Sequence, residues 1–145
     1  MNQCSANKIQ IVILLQTAEN KLEELLLLKT NEKRGGFWQN ITGKMEKGET
    51  PIEAAHRELF EETALHNRKL HDINYQFHFA KGEKSFTEQV FLCLLNKKEN
   101  IQIDPHEHND LKWLKVDQIK DSDYGFSSSF EAFQRALFYA QEKLS

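Results

Sequence analysis

The chain has 145 residues, 39% of them hydrophobic and 28% charged, with two Pro and six Gly; this excludes collagenous, low-complexity and extended disordered classes and leaves one core in one domain, residues 1–145. A net charge of -3 and a pI near 6.1 exclude a general nucleic-acid binder, so a phosphate-bearing partner would be held through a cation or a few local basic groups. Two cysteines, Cys4 and Cys93, are too few for a disulfide framework, and no stretch approaches the ~20 apolar residues that cross a bilayer; a reducing, cytoplasmic setting without a membrane partner is expected.

In chain order, Ile9 to Leu15 is rich in β-branched residues and almost wholly apolar, which predicts a buried strand. Leu25 to Leu28 predicts a second, and the polar "QTAENKLEE" between them a solvated hairpin connection. Asn31 to Gly36 is a polar, glycine-ended loop leading into "GFWQNITG". There Phe37 and Trp38 offer flat rings that either stack on a heterocycle or pack the loop against the sheet. Thr50, Pro51 and Glu53 are a helix start: a hydroxyl N-cap, proline at the first helical position and a glutamate reaching back, with the helix running to about Leu65.

Beyond it, Ile73, Tyr75, Phe77 and Phe79 alternate with polar residues as in a half-buried strand. Gln89 to Leu95 predicts a strand covered on both faces, and Leu111 to Val116 another. Phe130, Phe133, Leu137, Ala140 and Leu144 recur at helical spacing, with Ser128 and Glu131 placed for a second capping box. Tyr124 and Phe126 before this helix have the same choice between stacking and packing as Phe37 and Trp38. Strands and two helices without linker or repeat make one mixed α/β domain.

The first helix carries an electrostatic problem. Glu58, Glu61 and Glu62 fall within about 100° of arc beside the apolar stripe of Ile52, Ala55 and Leu59. Like charges three and four residues apart cost an isolated helix roughly 0.2–0.5 kcal/mol per pair, so something outside the helix must favour them. Carboxylate oxygens are the ligands of hard divalent cations, and Mg²⁺ takes one or two of them while keeping positions for water and substrate phosphates. Arg57, beside Glu61, can hold one carboxylate with its planar fork. On charge alone a solvated acidic face and a metal site both remain open.

Residues 43 to 65 resemble the Nudix box, G-x5-E-x7-R-E-U-x-E-E-x-G-U with U a bulky aliphatic. The matching residues are Gly43, Glu49, Arg57, Glu58, Leu59, Glu61, Glu62 and Leu65, with Ala64 where the family has its last Gly. At a positive φ, Ala there would cost on the order of 1 kcal/mol.

The resemblance implies a Nudix-type α/β/α sandwich with a mixed β-sheet between helices. It implies Glu58, Glu61 and Glu62 as ligands of Mg²⁺, with Mn²⁺ able to substitute, and Glu49, Arg57 and Glu61 among the catalytic groups. It also implies an additional glutamate before a "WL" segment, which here is Glu107 ahead of Trp113-Leu114. Trp38 and Lys44 are the expected substrate contacts. Phe37-Trp38-Gln39 with Thr42-Gly43, and Glu107-His108, are similar to the dihydroneopterin triphosphate pyrophosphatase subgroup.

The activity implied is Mg²⁺-dependent hydrolysis of a nucleoside triphosphate or dihydroneopterin triphosphate by a metal-activated water. A nucleoside diphosphate sugar or a damaged deoxynucleotide is the alternative substrate. From another class, a non-catalytic nucleotide-sensing domain is disfavoured because every box glutamate is present. His106 and His108 are weak zinc candidates without cysteine partners, and Glu88 reads as a loop acid without a duty. No sequence feature marks a self-complementary surface, which leaves a homodimer open.

Overall fold

The computed structural model describes residues 7–17 and 21–144, apart from the side chains of Lys81 and Ser127. Cys4 and the tip of the first hairpin lie outside the described residues. Strand β1 (Lys8–Thr17) is the hub of a mixed sheet. One edge pairs antiparallel first with β4 (Ile41–Lys44) and then with β2 (Lys21–Thr30); the other runs parallel to β6 (Lys84–Leu95), from Lys8 opposite Glu88 to Leu15 opposite Leu95. β2 also pairs with β3 (Trp38–Gln39) and β7 (His108–Lys115), and β5 (Leu70–Lys81) lies antiparallel to β6.

The apolar runs of β1, β2 and β6 are continuous because both sheet faces are covered. Ile9, Ile11 and Ile13 join Ala54, Ala55 and Leu59 of helix α1 (Pro51–Thr63) in one core layer. Val12 and Leu14, one residue out of phase, join Ala132, Phe133 and Ala136 of helix α2 (Ser127–Lys143) in the other. The result is an α/β/α sandwich. Cys93 is fully buried in the first layer, and burial pushes its thiol up to about 12. Among the described residues, no helix is long and apolar enough to cross a membrane.

Helix α1 starts as its sequence predicts: Thr50 Oγ1 accepts from the Glu53 N–H at 3.3 Å, and Glu53 Oε1 accepts from the Thr50 N–H at 2.9 Å. It ends at Thr63, because Ala64 turns left-handed at φ 66 while its N–H still donates to Phe60 O at 2.8 Å. The capping box predicted for α2 is not formed. Ser127 is already helical and Phe126, extended, sits at the cap without a side-chain bond, so Ser128 lies two positions too far in. Glu131 is instead taken by the Tyr75 hydroxyl and stands 3.8 Å from Arg135. Within β5 the register slips between Asp72 and Gln76, where Asn74 adopts φ 57 and donates its N–H to Asp72 Oδ1.

Candidate active site

Arg57 organises the loop before α1 and the acidic face of the helix together. Its Nε donates to Glu49 Oε2 at 2.7 Å and its Nη2 to Glu49 Oε1 at 3.0 Å, a two-pronged grip, while Nη2 also reaches the Lys44 carbonyl at 3.0 Å. Nη1 donates to Glu58 Oε2 at 3.1 Å and Glu61 Oε1 at 3.2 Å. This cation answers the repulsion between the helix acids. The Arg57 hydrogen bond holds Glu49 down at about 2, and the paired carboxylates raise the Arg57 pKa further. Glu46 is largely exposed, with one oxygen 3.8 Å from Arg57 Nη1.

Glu58 and Glu62 lie on the buried side of the acidic face, 8% and 4% exposed. Burial pushes Glu58 up to about 7 against the pull of Arg57, with Glu61 adding to the rise. Gly43 on β4 makes room for it: a Cβ there would stand 2.2 Å from the Glu58 carboxyl group. Glu62 Oε1 is 2.9 Å from His108 Nδ1, whose other ring nitrogen lies 3.3 Å from Gln39 Nε2. Among the described residues no hydrogen bond reaches Glu62 Oε2.

Glu58, Glu61 and Glu62 line one cavity of about 280 Å³ together with Asp104 and Glu107. Its cationic lining is Lys8, Arg34 and Lys44. Glu107 is ion-paired to Arg34, and the turn that carries it is tied to the β2–β3 loop by Asn31 N–H donating to Glu107 O at 3.0 Å. The structure therefore brings Glu107 and Lys44 to the helix acids. Lys8, Arg34 and Asp104 join them without any local sequence signal, since each arrives by pairing of segments far apart in the chain.

A second cavity of about 620 Å³ adjoins the first and shares Lys8, Arg34 and Thr42 with it. Phe37, Phe126, Phe77 and Phe79 supply its aromatic lining. Trp38 is not among the residues lining either cavity. It packs against the α2 layer with Lys112 Nζ 4.1 Å from its ring centroid, because the strand alternation that turns Gln39 inward turns Trp38 to the other side. Of the later pair, Tyr124 is buried in the core and Phe126 faces the cavity. Glu88 lies on β6, not in a loop, and is buried.

The oxygen-only donor set of Glu58, Glu61 and Glu62 suits a hard divalent cation, and the Gly43 cradle gives Glu58 its place beside the cavity. Among the described residues no three His, Cys, Asp or Glu side chains are drawn together closely enough to hold an ion. The reason is visible in the partners: Arg57 Nη1 occupies Glu58 and Glu61, and His108 turns one oxygen of Glu62. His108 is thus engaged with a carboxylate, an arrangement that orients a ligand.

Fold and site together define an α/β/α sandwich that presents an acidic, arginine-braced helix to a cavity of mixed charge. The chain belongs to the NUDIX family, whose domain model matches residues 7–135. It is 28% identical over 152 aligned positions to a dihydroneopterin triphosphate diphosphatase of Haemophilus influenzae, covering 95% of this chain and 92% of that protein. It is 38% identical over 96 positions to an octanoyltransferase of Myxococcus xanthus, covering 63% of this chain but only 26% of that relative's length. The dihydroneopterin triphosphate pyrophosphohydrolase of E. coli superposes with a TM-score of 0.74 at 25% identity, over 93% of this chain and 99% of that one.

Proposed function

We propose that this domain is a Mg²⁺-dependent pyrophosphohydrolase that cleaves the anhydride linkage of a nucleoside triphosphate or of dihydroneopterin triphosphate. The observation that carries the reading is the junction of the carboxylate-lined cavity with the aromatic one at Lys8, Arg34 and Thr42. A charged phosphate chain and a flat ring belonging to one small molecule match that pair of spaces. The coverage of nearly the full length of the Haemophilus influenzae relative supports the pterin member of the two.

Glu58, Glu61 and Glu62 would hold Mg²⁺, or Mn²⁺ in its place, which when bound neutralises phosphate charge and lowers the pKa of a coordinated water. The chain's own residues do the rest. Arg57, braced by Glu49, sets the height of the acidic face, and His108 fixes the rotation of Glu62. Lys8, Lys44 and Arg34 attract and orient the phosphates. Glu107, held at the cavity by Arg34, accepts the proton as water oxygen bonds to one phosphorus and the anhydride P–O bond breaks towards the departing phosphate group. The partners are then small phosphate esters in the cytoplasm, with neither nucleic acid nor membrane involved.

The test is incubation with Mg²⁺ and a panel of dihydroneopterin triphosphate, nucleoside triphosphates, nucleotide sugars and dinucleoside polyphosphates, reading phosphate and pyrophosphate. Release of pyrophosphate from a triphosphate is the expected outcome. Turnover of nucleotide sugars alone would sink the pterin assignment, and binding without turnover of any of them would make the domain a sensor.

A further inference from the structure

Glu88 is an acid that the hydrolytic site leaves unused. It stands opposite Lys8 in the parallel β1–β6 register, is 5% exposed, and lines the aromatic cavity. Burial raises its carboxyl pKa above the ordinary value, against the pull of Lys8 and Gln10. An acid so placed needs hydrogen-bond donors, and the protein supplies very little.

What it does supply is fixed in direction. The Ser129 carbonyl, which can only accept, takes a hydrogen bond from Asn40 Nδ2 at 3.1 Å, and the Tyr124 hydroxyl donates to Asn40 Oδ1 at 3.0 Å. Asn40 Nδ2 also donates to Gln10 Oε1 at 2.7 Å, which leaves Gln10 Nε2 pointing at Glu88 Oε2, 3.5 Å away. The carbonyl at the start of this buried chain dictates each amide orientation in turn. Glu88 therefore ends it as an acceptor. Among the described residues no hydrogen bond reaches Glu88 Oε1.

The cavity walls say what kind of donor would come. Phe37 and Phe126, with ring centroids 5.2 Å apart, line it together with Phe77 and Phe79. Aromatic faces accept a flat heterocycle by stacking, and a carboxylate at the edge of a stacked ring accepts N–H donors from it. We infer that Glu88 is a specificity-determining residue that reads paired N–H donors on the substrate heterocycle, the amino group and adjacent ring N–H of a 2-amino-4-oxo ring such as pterin or guanine. This rests on the triphosphate reading of the site. Hypoxanthine keeps the ring N–H but lacks the amino group, and adenine offers a donor beside an acceptor, so neither presents the pair.

The experiment separates binding from turnover by using triphosphate analogues with methylene bridges in place of both anhydride oxygens, titrated in Mg²⁺. Wild type is expected to bind the guanosine or the neopterin compound about ten- to a hundredfold tighter than the inosine and adenosine ones, the range of a charge-assisted hydrogen bond. The order of the first two identifies which ring is carried. Glu88→Gln turns an amide N–H towards the ligand donors and is expected to level the four affinities, with its circular dichroism unchanged. Equal affinity of wild type for the guanosine and inosine compounds overturns the inference whether or not the variant folds, and so does a preference that survives in a folded Glu88→Gln protein. Selective binding without hydrolysis of any natural triphosphate would overturn the hydrolase reading and leave Glu88 its role. Hydrolysis without discrimination would do the reverse.

Discussion

At the scale of single residues, the acids of α1 and its preceding loop divide by their partners rather than by their charge. Glu49 is held down at about 2, below the ordinary 4.5, chiefly by its hydrogen bond from Arg57. The unfolded chain takes up that proton more readily than the folded one, so the pair's stabilisation is complete above the ordinary value and lost as pH falls towards 2. Unfolding midpoints of the metal-free protein should therefore drop more steeply between neutral and acid pH for wild type than for Glu49→Gln; parallel curves would show that the grip contributes nothing. Glu62 differs, with His108 on one oxygen and the cavity before it. Glu62→Gln keeps shape and an acceptor for His108 but removes a charge, and turnover should fall by about a hundredfold or more with circular dichroism unchanged. Undiminished turnover would take Glu62 out of the site.

At the scale of elements, legibility follows how local the determining interactions are. Helix α1 is readable because Thr50, Pro51 and Glu53 act within four residues of one another, and because box positions recur along one helix. The start of α2 misleads for the same reason in reverse: Ser128 and Glu131 have the right spacing, but Tyr75, 56 residues away, claims Glu131. Trp38 misleads too, since which face a two-residue strand turns to the core depends on its pairing with Leu28 and Lys29. The Ala64 position can be tested directly. Its φ of 66 lies in the left-handed region, where a Cβ costs roughly 1–2 kcal/mol. Once what glycine gives back in the unfolded chain is taken off, Ala64→Gly should raise stability by about 1 kcal/mol, which is an increase of about 3 °C in Tm. No increase in a thermal melt would mean that the helix end relaxes around Ala without strain.

At the scale of the whole molecule, the site is an assembly of distant segments. The sheet sets Lys8 beside both Lys44 and Glu88, so the hub strand delivers one cation to the junction of the two cavities. Lys8, Glu88 and Asp104 were illegible as site residues because each gains its setting through pairings that span most of the chain. The aromatic wall has the same origin: Phe37 follows β2, Phe126 precedes α2, and Gly125 lets them meet, since a Cβ there would stand 2.6 Å from Phe37 Cβ. Gly125 N–H also donates to Trp38 O at 3.0 Å, locking the two loops together. Phe126 is 51% exposed, so removing its ring disturbs little of the core while taking away a stacking surface. Stacking of one ring is worth about 1–3 kcal/mol, and Phe126→Ala should raise KM for a heterocyclic triphosphate by roughly ten- to a hundredfold. Inorganic tripolyphosphate, which has no ring, should inhibit the variant and wild type at the same concentration. If the variant lost tripolyphosphate binding as well, the two cavities would be one mechanical unit, and the division of labour between ring and phosphate would be wrong.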